Sequence, residues 1–269
     1  MTPMHAVRAL SGVAGREIAR FVRQRGRLFS ALVRPSLWLI VFAAGFQNVF
    51  GVSIIPPYET YIEYQEYIVP GLLGMVLLFN GMQSSLAMVY DREMGMMRLL
   101  LTAPLPRWFL LLSKLLAGTL LSVLQAYAFL AVALLFDVNV PLLGWLYAFF
   151  PLVLGGMMLG ALGLLLSVYV KQLENFAGTM NFVIFPMFFI SPALYPLWKL
   201  RESGAEVIYH LAAWNPFSHA VELIRYALYG QFAGQSLLIV LASLVVFFVA
   251  AVLGYDPQRG LIKRSGRPA

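Results

Sequence analysis

The stretch Y-I-V-P-G-L-L-G-M-V-L-L-F-N-G-M-Q-S-S-L-A-M-V-Y, Tyr67 to Tyr90, carries no charged side chain, and D-R-E follows it at once. A helix needs about 20 apolar residues to cross a hydrocarbon core, so this segment reads as a membrane span that stops where the charges begin. Five further stretches flank it: Pro35 to Phe50, Trp108 to Phe136, Leu142 to Val170, Phe176 to about Pro196 and Leu237 to Gly254. The fifth in chain order is interrupted by Pro186, Pro192 and Pro196. Lipid cannot satisfy backbone polar groups, and the ten-residue alternation of a barrel strand is absent, so the spans are expected to be helices. The expected fold is an all-α integral membrane protein, a single unit over residues 1–269 with six transmembrane helices within 35–254.

Composition agrees. The chain is 61% hydrophobic and 12% charged, with a mean hydropathy of +0.79, whereas soluble domains carry about 25% charged residues. An ordinary soluble protein, a disordered chain and a collagen-like chain are thereby excluded. The absence of cysteine removes disulfides, thiolate zinc sites and thiol catalysis. No G-x-x-x-x-G-K-[ST] loop is present to cradle nucleotide phosphates, so any ATPase would have to be a separate chain. No cleavable signal peptide is legible at the amino terminus.

The net charge of +7 acquires meaning from its placement. With six spans, sixteen of the nineteen Lys and Arg fall on one side, and Lys199, Arg201 and Arg225 fall on the other. The positive-inside rule then places both termini in the cytoplasm, including a short basic tail over 255–269, and displaces the nucleic-acid reading that a basic chain invites. Membrane lipid is the expected surrounding, and no nucleic acid is expected as a partner.

Three segments are not simple spans. Within residues 1–34, Arg16, Arg20, Arg23 and Arg27 recur at steps of four, three and four, which puts them on one helical face opposite Val7, Leu10, Ala14, Ile18, Phe21, Leu28 and Phe29. This reads as an amphipathic helix in the interface, either a simple anchor among headgroups or also a bracket for a partner. From Asp91 to Pro104 a charged, methionine-rich segment is too polar for lipid and too apolar for a loop. It reads as a short cytoplasmic helix that needs a protein to cover it, with an interfacial turn as the alternative. Over 205–230 two half-length apolar helices are separated by Asn215-Pro216, which reads as an outer re-entrant hairpin. His219, Glu222 and Arg225 recur at steps of three, so they could meet as a relay or as an ordinary salt bridge.

Polar residues inside spans mark a candidate pathway: Asn80, Gln83 and Ser84; Thr119, Ser122 and Gln125; Thr179 and Asn181. None is charged, which suits an amphiphile, a neutral drug or a glycan, although interhelical hydrogen bonding accounts for the same residues. Gly156 and Gly160 form a G-x-x-x-G expected to pack helices within one subunit. A secondary transporter or channel would place ionisable residues in mid-span, and a lipid-modifying enzyme would need a grouped acid, base or metal set. The spans as read offer neither.

These features together resemble the membrane subunit of an ATP-binding-cassette exporter of the second type, a family serving drug, lipid and polysaccharide export. The resemblance rests on Glu93, Gly95, Leu99 to Leu101, Pro104, Arg107 and Lys114, with Met96 where the family commonly has threonine. It rests also on S-P-A-L-Y-P-L (Ser191 to Leu197), N-P-F-S-H-A-V-E-L-I-R-Y (Asn215 to Tyr226) and Y-I-V-P-G-L (Tyr67 to Leu72). It implies a non-enzymatic permease in the bacterial inner membrane, a second permease chain forming a homodimer, and two ATPase subunits that bind MgATP, with no cofactor in this chain. It also implies that the segment 91–104 is a coupling helix touching the ATPase through Glu93, Gly95, Met97, Arg98, Leu99, Leu101, Pro104 and Arg107.

Overall fold

The computed structural model describes residues 3–23, 25–46, 56–59, 62–94, 106–136, 138–170 and 172–255. They form helices α1 (Pro3–Arg23), α2 (Arg25–Phe46), α3 (Tyr64–Glu93), α4 (Arg107–Ala133), α5 (Leu142–Tyr147), α6 (Phe149–Tyr169), α7 (Leu173–Phe189), α8 (Leu197–Glu202), α9 (Glu206–Trp214), α10 (Pro216–Leu228) and α11 (Gly234–Gly254). A short 3-10 turn, Leu134–Phe136, extends α4.

The bundle is built around α3, which packs against α2, α4, α6, α7 and α10. Its sequence is apolar on every side, the pattern of a helix enclosed by others. Ile68, Leu72, Leu73, Leu77, Leu78 and Met82 are fully buried. Close approach depends on small residues. A Cβ on Gly81 would lie 2.9 Å from the backbone nitrogen of Gly160, so the two backbones touch there. Gly156 and Gly160 turn their faces to Thr119 and Leu115 of α4, so this G-x-x-x-G packs helices inside the chain as expected. By contrast α11 lies at the periphery against α6, with Leu238, Val245, Val246 and Leu253 exposed, as suits a helix whose outer face meets lipid.

Four helical segments are long and apolar enough to cross a membrane: Tyr64–Glu93, Arg107–Phe136, Leu142–Tyr169 and Gly234–Gly254. They match four of the six expected spans closely. The break at Ala148 between α5 and α6 falls just before Pro151, which has no N–H to donate to the carbonyl of Tyr147. The other two expected spans are shorter. The apolar part of α2 is Leu32–Phe42, and α7 is a 17-residue helix ending at Phe189, before the turn Ser191–Tyr195.

Several expectations are corrected. Among the described residues, Arg16, Arg20 and Arg23 lie on α1 and Arg27 and Arg34 on α2. Lys114, one of the sixteen cations counted toward the cytoplasmic side, lies two turns inside α4 and is 7% exposed, so it belongs to the helix itself. A further short helix, α8, precedes the two halves of the hairpin. Those halves, α9 and α10, divide at Asn215 as the sequence predicts.

Candidate functional site

The charges D-R-E, Asp91 to Glu93, close α3, and each binds a different element. Successive residues of a helix point about 100° apart, so three adjacent charges cannot share a partner. Asp91 is 1% exposed. Its Oδ2 lies 3.3 Å from Lys114 Nζ of α4 and 3.7 Å from Arg16 Nη2 of α1. Arg92 donates to the carbonyls of Ser167 (3.0 Å) and Val170 (2.8 Å) at the end of α6, where a cation meets the negative end of the helix. Glu93 Oε1 accepts from the backbone N–H of Leu173 at 3.0 Å, the first residue of α7, where a carboxylate is favoured for the converse reason. Four helices are thus tied to the last turn of α3. Met94, the next residue, is apolar and 59% exposed.

Arg16 reaches Asp91 from α1 while its side chain stays 36% exposed. Arg23 is exposed, while the side chains of Arg20 and Arg27 lie outside the described residues. Of the expected ATPase-contact residues, Glu93 is spent on α7 and Arg107 is exposed at the start of α4. Gly95, Met97, Arg98, Leu99, Leu101 and Pro104 lie outside the described residues.

The opposite end is closed by Arg225 of α10, 3% exposed. Its guanidinium donates to Glu222 and, at 2.6 Å, to the carbonyl of Pro192, and it lies 4.2 Å from the ring centre of Tyr67. Tyr67 donates to the same Pro192 carbonyl at 3.0 Å, and Tyr64 donates to that of Leu194 at 2.8 Å. The turn Ser191–Tyr195 is thereby fixed to the first turns of α3. Tyr58, in the segment before α3, packs edge-on to Tyr229, and burial pushes its phenol up to about 12, so it stays neutral. Asn215 caps α10 by accepting from Phe217 N–H at 3.0 Å, and Pro216 stands at the first helical position, where no N–H is needed. The Asn215 amide donates to the carbonyls of Met187 (2.8 Å) and Ile190 (2.7 Å) at the end of α7.

His219 does not join Glu222 and Arg225. Its ring nitrogens face the Ala213 carbonyl at 2.9 Å and the Ser236 hydroxyl at 3.3 Å, so the end of α9 and the start of α11 draw it away. The three-residue spacing thus yields a salt bridge and no relay.

The polar residues within the helices divide into two groups. Asn80 donates to Gln125 between α3 and α4, Ser84 contacts Gly118, and Ser122 donates to the Gly118 carbonyl at 2.9 Å. Thr119 is buried there with its hydroxyl unpartnered. Gln83 borders a cleft beside α2. Thr179 and Asn181 stand apart from these on α7, about 200° from each other around the helix, and Asn181 is exposed. Among the described residues, no three His, Cys, Asp or Glu side chains gather closely enough to hold a metal ion.

Apolar helices wrapped around an enclosed central helix, with ion pairs gathered at the two ends, define an integral membrane protein with several spanning helices. The chain belongs to the ABC-2 type transporter family, whose profile matches residues 8–229. It is 25% identical over 246 residues to the inner membrane transport permease YadH of Escherichia coli, covering 91% of this chain and 92% of that one. It is 28% identical over 205 residues to ycf38 of Cyanophora paradoxa, named as a transport permease, covering 74% and 67%. It is 27% identical over 171 residues to YbhR of E. coli, named as a multidrug ABC transporter permease, covering 62% and 45%. Members of the family normally work with an ATPase subunit.

Proposed function

We propose that this chain is the permease subunit of an ATP-driven exporter, carrying an amphiphilic drug, lipid or glycan-type molecule out of the cytoplasm. The observation that supports it most is the D-R-E junction. Asp91, Arg92 and Glu93 tie α1, α4, α6 and α7 to the end of α3, at the point where the segment read as a coupling helix begins. A push on that segment from an ATPase would reach all of these helices through charge-assisted contacts, of which the Asp91–Lys114 pair is buried.

In this reading two permease chains meet as a homodimer and two ATPase subunits bind MgATP beneath them. The chain crosses six times, through α2, α3, α4, α5–α6, α7 and α11. The α9–α10 hairpin returns to the outer side, and both termini are cytoplasmic. The polar residues between α3 and α4 and those on α7 border the route. ATP hydrolysis tests the division of labour. The purified chain alone is expected to release no phosphate above background, and the same chain purified with its ATPase is expected to turn over. Robust hydrolysis by a preparation that mass spectrometry shows to contain this chain alone would contradict the proposal.

A further inference from the structure

Arg34 stands just before the first expected span, among the cations assigned to the cytoplasmic side, yet α2 carries it well inside the bundle. Its guanidinium lies 3.9 Å from the ring centre of Phe79 on α3. Phe79 stands almost midway between Tyr64 and Glu93, about 21 to 23 Å from each end at 1.5 Å per residue. Arg34 and Pro35 face Met75, Phe79, Asn80 and Gln83 across a cleft between α2 and α3. The arginine is half-buried, and among the described residues no carboxylate pairs with it. Nor does any Asp or Glu of the chain fall in the middle of α2, α3, α4, α6, α7 or α11, so a second copy brings no acid to that depth.

A cation in mid-helix, with an aromatic face and neutral amides beside it among the described residues, marks a functional position by default. The surface beside it is apolar. Leu37 and Val41, three and seven residues on, lie on the same face of α2 and are 54% and 60% exposed. A cationic point at mid-depth, continued toward the far end by an exposed aliphatic stripe, complements a molecule with an anionic head and a hydrocarbon tail. It does so at the depth where a charged head moving through a membrane protein is farthest from water and most in need of a partner.

We infer that Arg34, with Gln83 beside it in the cleft, holds the anionic head of an amphiphile, phosphate or carboxylate, whose tail lies along Leu37 and Val41. The inference rests on the exporter reading and narrows its substrate class from neutral or amphiphilic to anionic amphiphile. The test uses the full chain alone, in a neutral maltoside detergent without ATPase or nucleotide, so its outcome is independent of whether an ATPase partner exists. Native mass spectrometry reads the adducts formed with dodecyl phosphate, dodecyltrimethylammonium and inorganic phosphate.

The native chain is expected to retain dodecyl phosphate and neither of the others. Arg34→Gln is expected to lower retained dodecyl phosphate about tenfold, Arg34→Lys to keep most of it, and Arg201→Gln, at an exposed outer position, to leave it unchanged. Gln83→Leu, expected to lower it a few-fold, serves as the second variant should Arg34→Gln fail to fold. Equal retention by the native chain and both cleft variants, or equal binding of dodecyltrimethylammonium, would overturn the assignment. Binding of inorganic phosphate as strong as that of dodecyl phosphate would make it a free-anion site and overturn the amphiphile.

Discussion

At the residue scale, Asp91 is the position on which most depends. Its carboxylate is enclosed with Lys114 and reached by Arg16, and removing one partner of a buried pair strands the other, costing about 3 to 5 kcal/mol. Asp91→Asn is therefore expected to lower the thermal unfolding midpoint of the purified chain markedly. The double variant Asp91→Asn, Lys114→Met is expected to recover much of that loss, because the charge left behind, on Arg16, is 36% exposed and can be solvated. A double variant as unstable as the single one would mean that Asp91 acts through something other than Lys114. The three charges in a row were plain in the sequence, and helical geometry alone required three directions for them. Their partners were not legible, because Ser167, Leu173 and Lys114 are brought there by packing between distant helices.

At the element scale, hydropathy made α3, α4, α5–α6 and α11 readable almost to the residue, since each is a long run bounded by charge or proline. It misjudged the amino-terminal elements. Arg34, which hydropathy leaves just before the first span, lies on α2, because that helix begins before its apolar run. The hairpin divided where Asn215-Pro216 predicted, because Asn is a good cap and Pro a good first helical residue. The diversion of His219 was hidden, since neither the Ala213 carbonyl nor Ser236 is close to it in helical register. The hairpin also carries the topology. Single cysteines at Ser203 and Gly234, flanking α9 and α10, are expected to react from outside with an impermeant maleimide, while one at Ser265 reacts only after the membrane is opened. Labelling of Ser203 and Gly234 from opposite sides would replace the returning hairpin with a further crossing.

At the scale of the whole molecule, two clamps hold the bundle, the D-R-E junction at one end of α3 and the Arg225–Tyr67–Pro192 contacts at the other. Between them lie a polar seam joining α3 to α4 and the cleft that exposes Arg34. The central claim is that a separate ATPase acts on the first clamp through the segment beginning at Met94. The chain has no native cysteine, so one thiol placed there reports without background. In a complex purified with its ATPase, Met94→Cys is expected to crosslink to the nucleotide-binding subunit, with a yield that changes when MgATP is added. Crosslinks confined to lipid or to a second copy of this chain, with and without MgATP, would contradict the account.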